Sequence, residues 1–195
     1  VDDARGARGQ MRSGLKDGRG YLTAGRRVAA FGLLLAVALV LRAVESLIPV
    51  PLPFVRLGLA NVATLLALVY LGIADAVLLA FLRVLVASVI AGTFLGPAFG
   101  LAMAGGLTAA EAMGVAFRRG VPPLGLVGVS LVGAAAHNIA QLAVLALAYT
   151  GFQAAIRLLP AALLLAAASG LVTGLVAHFV VTRLASARVW EPAGY

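Results

Sequence analysis

His137, Asn138 and Gln141 fall within five residues of one another in "GAAAHNIAQLAVLALAY", a run otherwise built of small and apolar side chains. An imidazole and two carboxamides donate and accept hydrogen bonds, so the chemistry open to them is recognition of a polar solute, or hydrogen bonding to a neighbouring helix. At helical spacing Gly133, His137 and Gln141 repeat at i+4 along one face, and Asn138 lies on the adjacent strip. Asn61 and Arg83 are polar residues inside other apolar runs, and Arg42 and Glu45, three residues apart, close a third. An arginine in mid-span is expensive in a bilayer and needs a carboxylate, a cluster of carbonyls or a ligand anion. Arg42 and Glu45 are spaced to pair with each other, to snorkel, or to stand at the mouth of a site.

The cost of those groups depends on the solvent, and composition identifies it. Hydrophobic residues make up 63% of the 195, charged residues only 11%, and the mean hydropathy is +1.07. Soluble domains carry about 25% charged residues, so this is an integral membrane protein, in which an unsatisfied polar group costs several kcal/mol. The length accommodates one domain of about six spans at roughly 20 residues each. The formal charge of +8 comes almost wholly from arginines scattered at the ends of apolar segments and in a short leader. With no aromatic-interleaved basic face, topology accounts for them better than nucleic acid does. The absence of Cys excludes disulfides, thiolate nucleophiles and Cys-based metal sites.

Apolar runs and breakers place the elements. Residues 1–25 read as a disordered, basic, cytoplasmic leader, with Met11 an alternative start to Val1. The membrane domain covers 26–184, with spans at about 26–48, 57–71, 75–91, 97–117, 122–149 and 155–184, and 185–195 form a cytoplasmic tail. Asp75 is expected to cap the third span. Arg26, Arg27, Arg118, Arg119, Arg183 and Arg188 gather on one side against Arg42, Arg56 and Arg157 on the other. The positive-inside rule then puts both termini in the cytoplasm of a bacterial-type inner membrane. Asn61, Arg83, His137, Asn138 and Gln141 lie at mid-depth or in the outer half, with Arg42 and Glu45 outermost, so the site opens outward. Glu111 and His178 belong to the inner halves.

Ala162, Ala166, Gly170 and Gly174 form a small-residue ladder, as do Gly100, Ala104, Thr108, Ala112 and Ala116, and both are expected to pack within the bundle. Gly32 and Ala36 form a shorter pair that could face a partner. The seven acids supply no paired aspartate-rich motifs to hold Mg²⁺ on a diphosphate. "GVSL" and "AASG" miss the G-x-S-G of an intramembrane serine protease, and no G-x-x-x-x-G-K-[ST] is present. The inventory is that of a protein that is not an enzyme and requires no metal or cofactor.

Glu45 followed by "SLIPVPLP", then "RLGLANVATLLALVYLG", Arg83 in "AFLRVLVASVIAGTF" and "GVSLVGAAAHNIAQLAV" together resemble the Gx transporter family, often labelled heptaprenyl diphosphate synthase component I. The resemblance spans about residues 27–184 and is carried most specifically by L-G-L-A-N and A-H-N-x-x-Q. That family is similar to the substrate-binding S components of energy-coupling factor transporters. The resemblance implies a compact six-helix bundle holding a small organic solute under the loop "PVPLPFVR". It also implies docking, through Gly32 and Ala36, on a transmembrane coupling protein carried by two ATPase subunits. The expected binding cluster is Asn61, Arg83, His137, Asn138 and Gln141, with Arg42 and Glu45 at its mouth. The arginines and a neutral His favour an anionic or carbonyl-rich ligand, with vitamins, flavins and quinone or isoprenoid precursors as classes. The alternative is a non-catalytic membrane partner of an isoprenoid or quinone biosynthesis enzyme.

Overall fold

Apolar stretches this long can satisfy their backbone in lipid only as helices or closed barrels, and the computed structural model describes helices. It describes residues 24–47, 58–120 and 124–186. Among these are α1 (Ala24–Leu47), α2 (Ala60–Tyr70), α3 (Ile73–Ile90), α4 (Pro97–Gly120), α5 (Gly125–Leu145) and α6 (Phe152–Ser186). A single π-helical turn, Ala146–Thr150, finishes α5 and stops at Gly151, whose φ is 77°. The expected leader up to residue 23, the "PVPLPFVR" loop and the end of the tail lie outside the described residues.

Five helices are long and apolar enough to cross a membrane, and α2 is not among them. Its 11 residues rise only about 16 Å against a hydrocarbon core of about 30 Å. The expected span of 57–71 is therefore shortened at its start. Gly58 sits at φ 72°, and the helix begins only at Ala60. In exchange α2 is buried nearly all round, from Val62 to Tyr70 without interruption. It is the inner element of the bundle, packed on α1, α3 and α6. Leu65 and Leu79 at its junction with α3 are fully buried, with Leu34, Ala38, Met113, Leu126 and Val129 completing the core around them.

The α2–α3 link is tight because Gly72 takes φ 99°, a conformation that costs an L-residue and not glycine. Gly72 is also the N-cap position of α3 and makes no side-chain cap. The expected capping role of Asp75 is corrected accordingly. It lies in the first turn of α3, and its Oδ2 is 2.7 Å from both Nε and Nη2 of Arg27. The carboxylate pins the start of α1 to the start of α3, since a cation within reach offers a charge-assisted, two-nitrogen contact where a cap offers one N–H.

The α6 ladder packs as expected. Cβ atoms added at Gly170 and Gly174 would stand 3.0 Å and 2.7 Å from the Cα atoms of Leu131 and Val127, so α5 and α6 touch backbone to backbone. In α4 the close-packed strip is a different one. Gly105, Gly106, Ala109, Ala110, Met113 and Gly114 are buried, whereas Thr108 of the expected ladder is exposed and its other members are only partly covered. Glu111 is exposed too, with no hydrogen bond or ion pair among the described residues.

Candidate functional site

Because α1 and α3 end where α2 and α4 begin, their four termini gather at one end of the bundle, and a cavity of about 410 Å³ opens beside them. All seven sequence-predicted site residues line it: Arg42 and Glu45 from α1, Asn61 from α2, Arg83 from α3, and His137, Asn138 and Gln141 from α5. Leu39, Val84, Ile90 and Phe99 add apolar wall.

The mouth is organised by Glu45. It is 7% exposed, and its Oε1 accepts the backbone N–H of Leu59 at the entry to α2. An N–H in the first turn of a helix has no intrahelical acceptor, so this carboxylate replaces the missing partner and fastens α1 to α2. Among the described residues Arg42 and Glu45 form no ion pair with each other, so of the alternatives their spacing left open, mutual pairing is not the arrangement found. Thr173 of α6 donates to the Gly58 carbonyl at 3.3 Å, a second tie on the same turn.

Arg83 is 6% exposed. Beside it is Gly106 of α4, where an added Cβ would lie 3.6 Å from Nη2. Gly105, the neighbour, does the same for α5 at closer range. A Cβ there would stand 2.8 Å from Cε1 of His137 and 2.9 Å from Cγ of Gln141. The i+4 face of His137 and Gln141 therefore lies against bare α4 backbone. Asn138, on the next strip, turns the other way and donates from Nδ2 to the Ala162 carbonyl of α6 at 2.8 Å, two residues past Pro160. It both lines the cavity and bonds a neighbouring helix.

Sequence reasoning missed the glycine pair 105–106, which lets α4 approach His137 and Arg83, and Ser88 and Ser169, which line the site. Two adjacent glycines in mid-helix cost about 1 kcal/mol each against alanine, and that cost was the signal that something had to approach there. No group of three or more His, Cys, Asp or Glu among the described residues could hold a metal ion. What the arrangement can do is bind a small molecule. It has a partly enclosed volume within the range of about 300–1,000 Å³ usual for ligand pockets, mostly apolar, with a few converging polar groups.

In comparison with known families, one described as "Heptaprenyl diphosphate synthase component I" matches residues 34–180, which is 147 of the 195 and includes every lining residue discussed above. Comparison with curated proteins and with solved structures finds no match.

Proposed function

From the premise that this chain belongs to the heptaprenyl diphosphate synthase component I family, we propose that it is the solute-binding subunit of an importer of the energy-coupling factor type. The observation that carries this reading is the cavity: seven polar or charged side chains from four helices converge on one end of a membrane bundle. In this reading the cavity faces outward. Arg26, Arg27, Arg118, Arg119 and Arg183 stand at the opposite end of their helices, against Arg42 and Arg157 at the cavity end, and the positive-inside rule assigns the arginine-rich end to the cytoplasm. A solute held there is released inward by reorientation of the whole bundle on a coupling protein driven by two ATPase subunits, since the chain carries no P-loop of its own.

The docking face in this reading is the outer side of α1. Gly32 and Ala36 are exposed there, and nothing lies within 4 Å of a Cβ added at Gly32. The family's name favours a second reading, a membrane partner of a synthase that makes heptaprenyl diphosphate. Purification from membranes in mild detergent separates the two. The importer subunit brings down an ATPase pair with a coupling protein and retains a small molecule, whereas the synthase partner brings down a soluble prenyl-transferring enzyme and retains none.

A further inference from the structure

The polar lining of the cavity divides into groups whose hydrogen bonds are already spent and groups whose are not. Ser46, Ser88 and Ser169 each donate their hydroxyl to a carbonyl of their own helix, at 2.6, 2.8 and 3.3 Å. Asn138 donates to Ala162, and Glu45 accepts from Leu59. Arg83 also has an interaction within the protein. The side chains of Arg42, Asn61 and Gln141 line the same cavity and make no hydrogen bond or ion pair among the described residues. All three are donors, and Arg42 is a donor only. When a ligand displaces water from such a site, a donor left without an acceptor weakens binding, and an unanswered charge weakens it more.

Charge narrows the ligand further. Among the described lining residues two guanidinium groups face one carboxylate. One positive charge is left over. Resting on the solute-binding reading above, we propose that the solute is a compact organic acid with a single negative charge, and that Arg42, rather than the buried Arg83, meets its carboxylate. Arg42 is half-buried one turn before the end of α1, and the one acid on its own helix face, Glu45, is taken by the backbone of α2. Arg83, buried beside Gly106, already has a partner within the protein.

Size agrees with charge. A cavity of about 410 Å³ falls toward the small end of the range of about 300–1,000 Å³ usual for ligand pockets, which suits a compact molecule. Heptaprenyl diphosphate, with seven isoprene units and a multiply charged head, exceeds both the volume and the charge.

The test is competitive equilibrium dialysis of the purified protein against an equimolar pool: aromatic and aliphatic monocarboxylates, the primary amide of each, the corresponding dicarboxylates, and farnesyl diphosphate. We expect at least one monocarboxylate to be enriched tenfold or more over its own amide. Arg42→Gln should abolish that preference without changing the melting temperature, and Arg42→Lys should keep most of it. Amides bound as tightly as acids, a preference for dicarboxylates or the diphosphate, or a preference that survives Arg42→Gln each overturn the assignment while leaving a solute site in place. Retention of no member of the pool overturns the solute-binding reading itself.

Discussion

Asn138 and Gln141, three residues apart on α5, do different work. The Asn138 amide is committed to the Ala162 carbonyl, so Asn138→Leu should lower stability by about 0.6–1.7 kcal/mol, the range for interhelical hydrogen bonds in membranes. Gln141 has no such bond among the described residues. Gln141→Ala should leave the melting temperature nearly unchanged and weaken solute binding by about 1–3 kcal/mol, the cost of leaving a ligand's group unmatched. Thermal unfolding and dialysis on the same two variants check this. A Gln141→Ala protein that melts as early as Asn138→Leu with full affinity would make the whole segment interhelical glue. The chemistry of "HNIAQ" was legible in the sequence because three polar groups in an apolar run require partners. Which of them had already found one was not legible, because that depends on the carbonyl of a helix more than twenty residues away.

At the scale of elements, α6 tolerates least at its contact with α5 and α1 tolerates most on its outer face. Gly174→Leu drives a side chain into the backbone of Val127, an overpacking that costs about 1–3 kcal/mol or more. Gly32→Leu and Ala36→Leu enter open space, so both proteins should fold and bind solute as the wild type does while losing assembly with the ATPase module. Co-purification of the module with each variant measures that. Glu111 stands exposed on α4, inside a helix long enough to span the bilayer. A carboxylate there costs the isolated protein about 2.5–3.5 kcal/mol on insertion scales for a helix centre, so Glu111→Leu should raise its unfolding midpoint in bicelles. A fall in the midpoint would mean that the carboxylate is bonded. The five long apolar helices were readable from hydropathy and breakers, but the strip of α4 that packs was not. Small residues occupy nearly every position from Gly100 to Ala116, which leaves two strips at i+4 spacing equally plausible. The bulk of His137 and Gln141 selects the one containing Gly105. The shortness of α2 was hidden for a similar reason, since its apolar run continues past the point where the Gly58 backbone and the Glu45 carboxylate begin the helix.

Over the whole molecule, an arginine-rich end lies opposite a cavity-bearing end, and the proposed orientation gives each a side of the membrane. The Cys-free chain makes that assignment measurable: an impermeant thiol reagent added to intact cells should label Thr93→Cys, in the exposed α3–α4 connection at the cavity end, and not Ser186→Cys. The reverse pattern would put the cavity on the cytoplasmic side. The central claim is that the cavity holds a solute, and mass spectrometry of small molecules extracted from the purified protein tests it most directly, with wild type compared against Ala102→Phe, which places a ring in the cavity from a half-buried position on α4. The account predicts one small molecule, retained in near-stoichiometric amount by the wild type and missing from an Ala102→Phe protein of unchanged melting temperature. The same molecule at the same amount in both, or none in either, would contradict it.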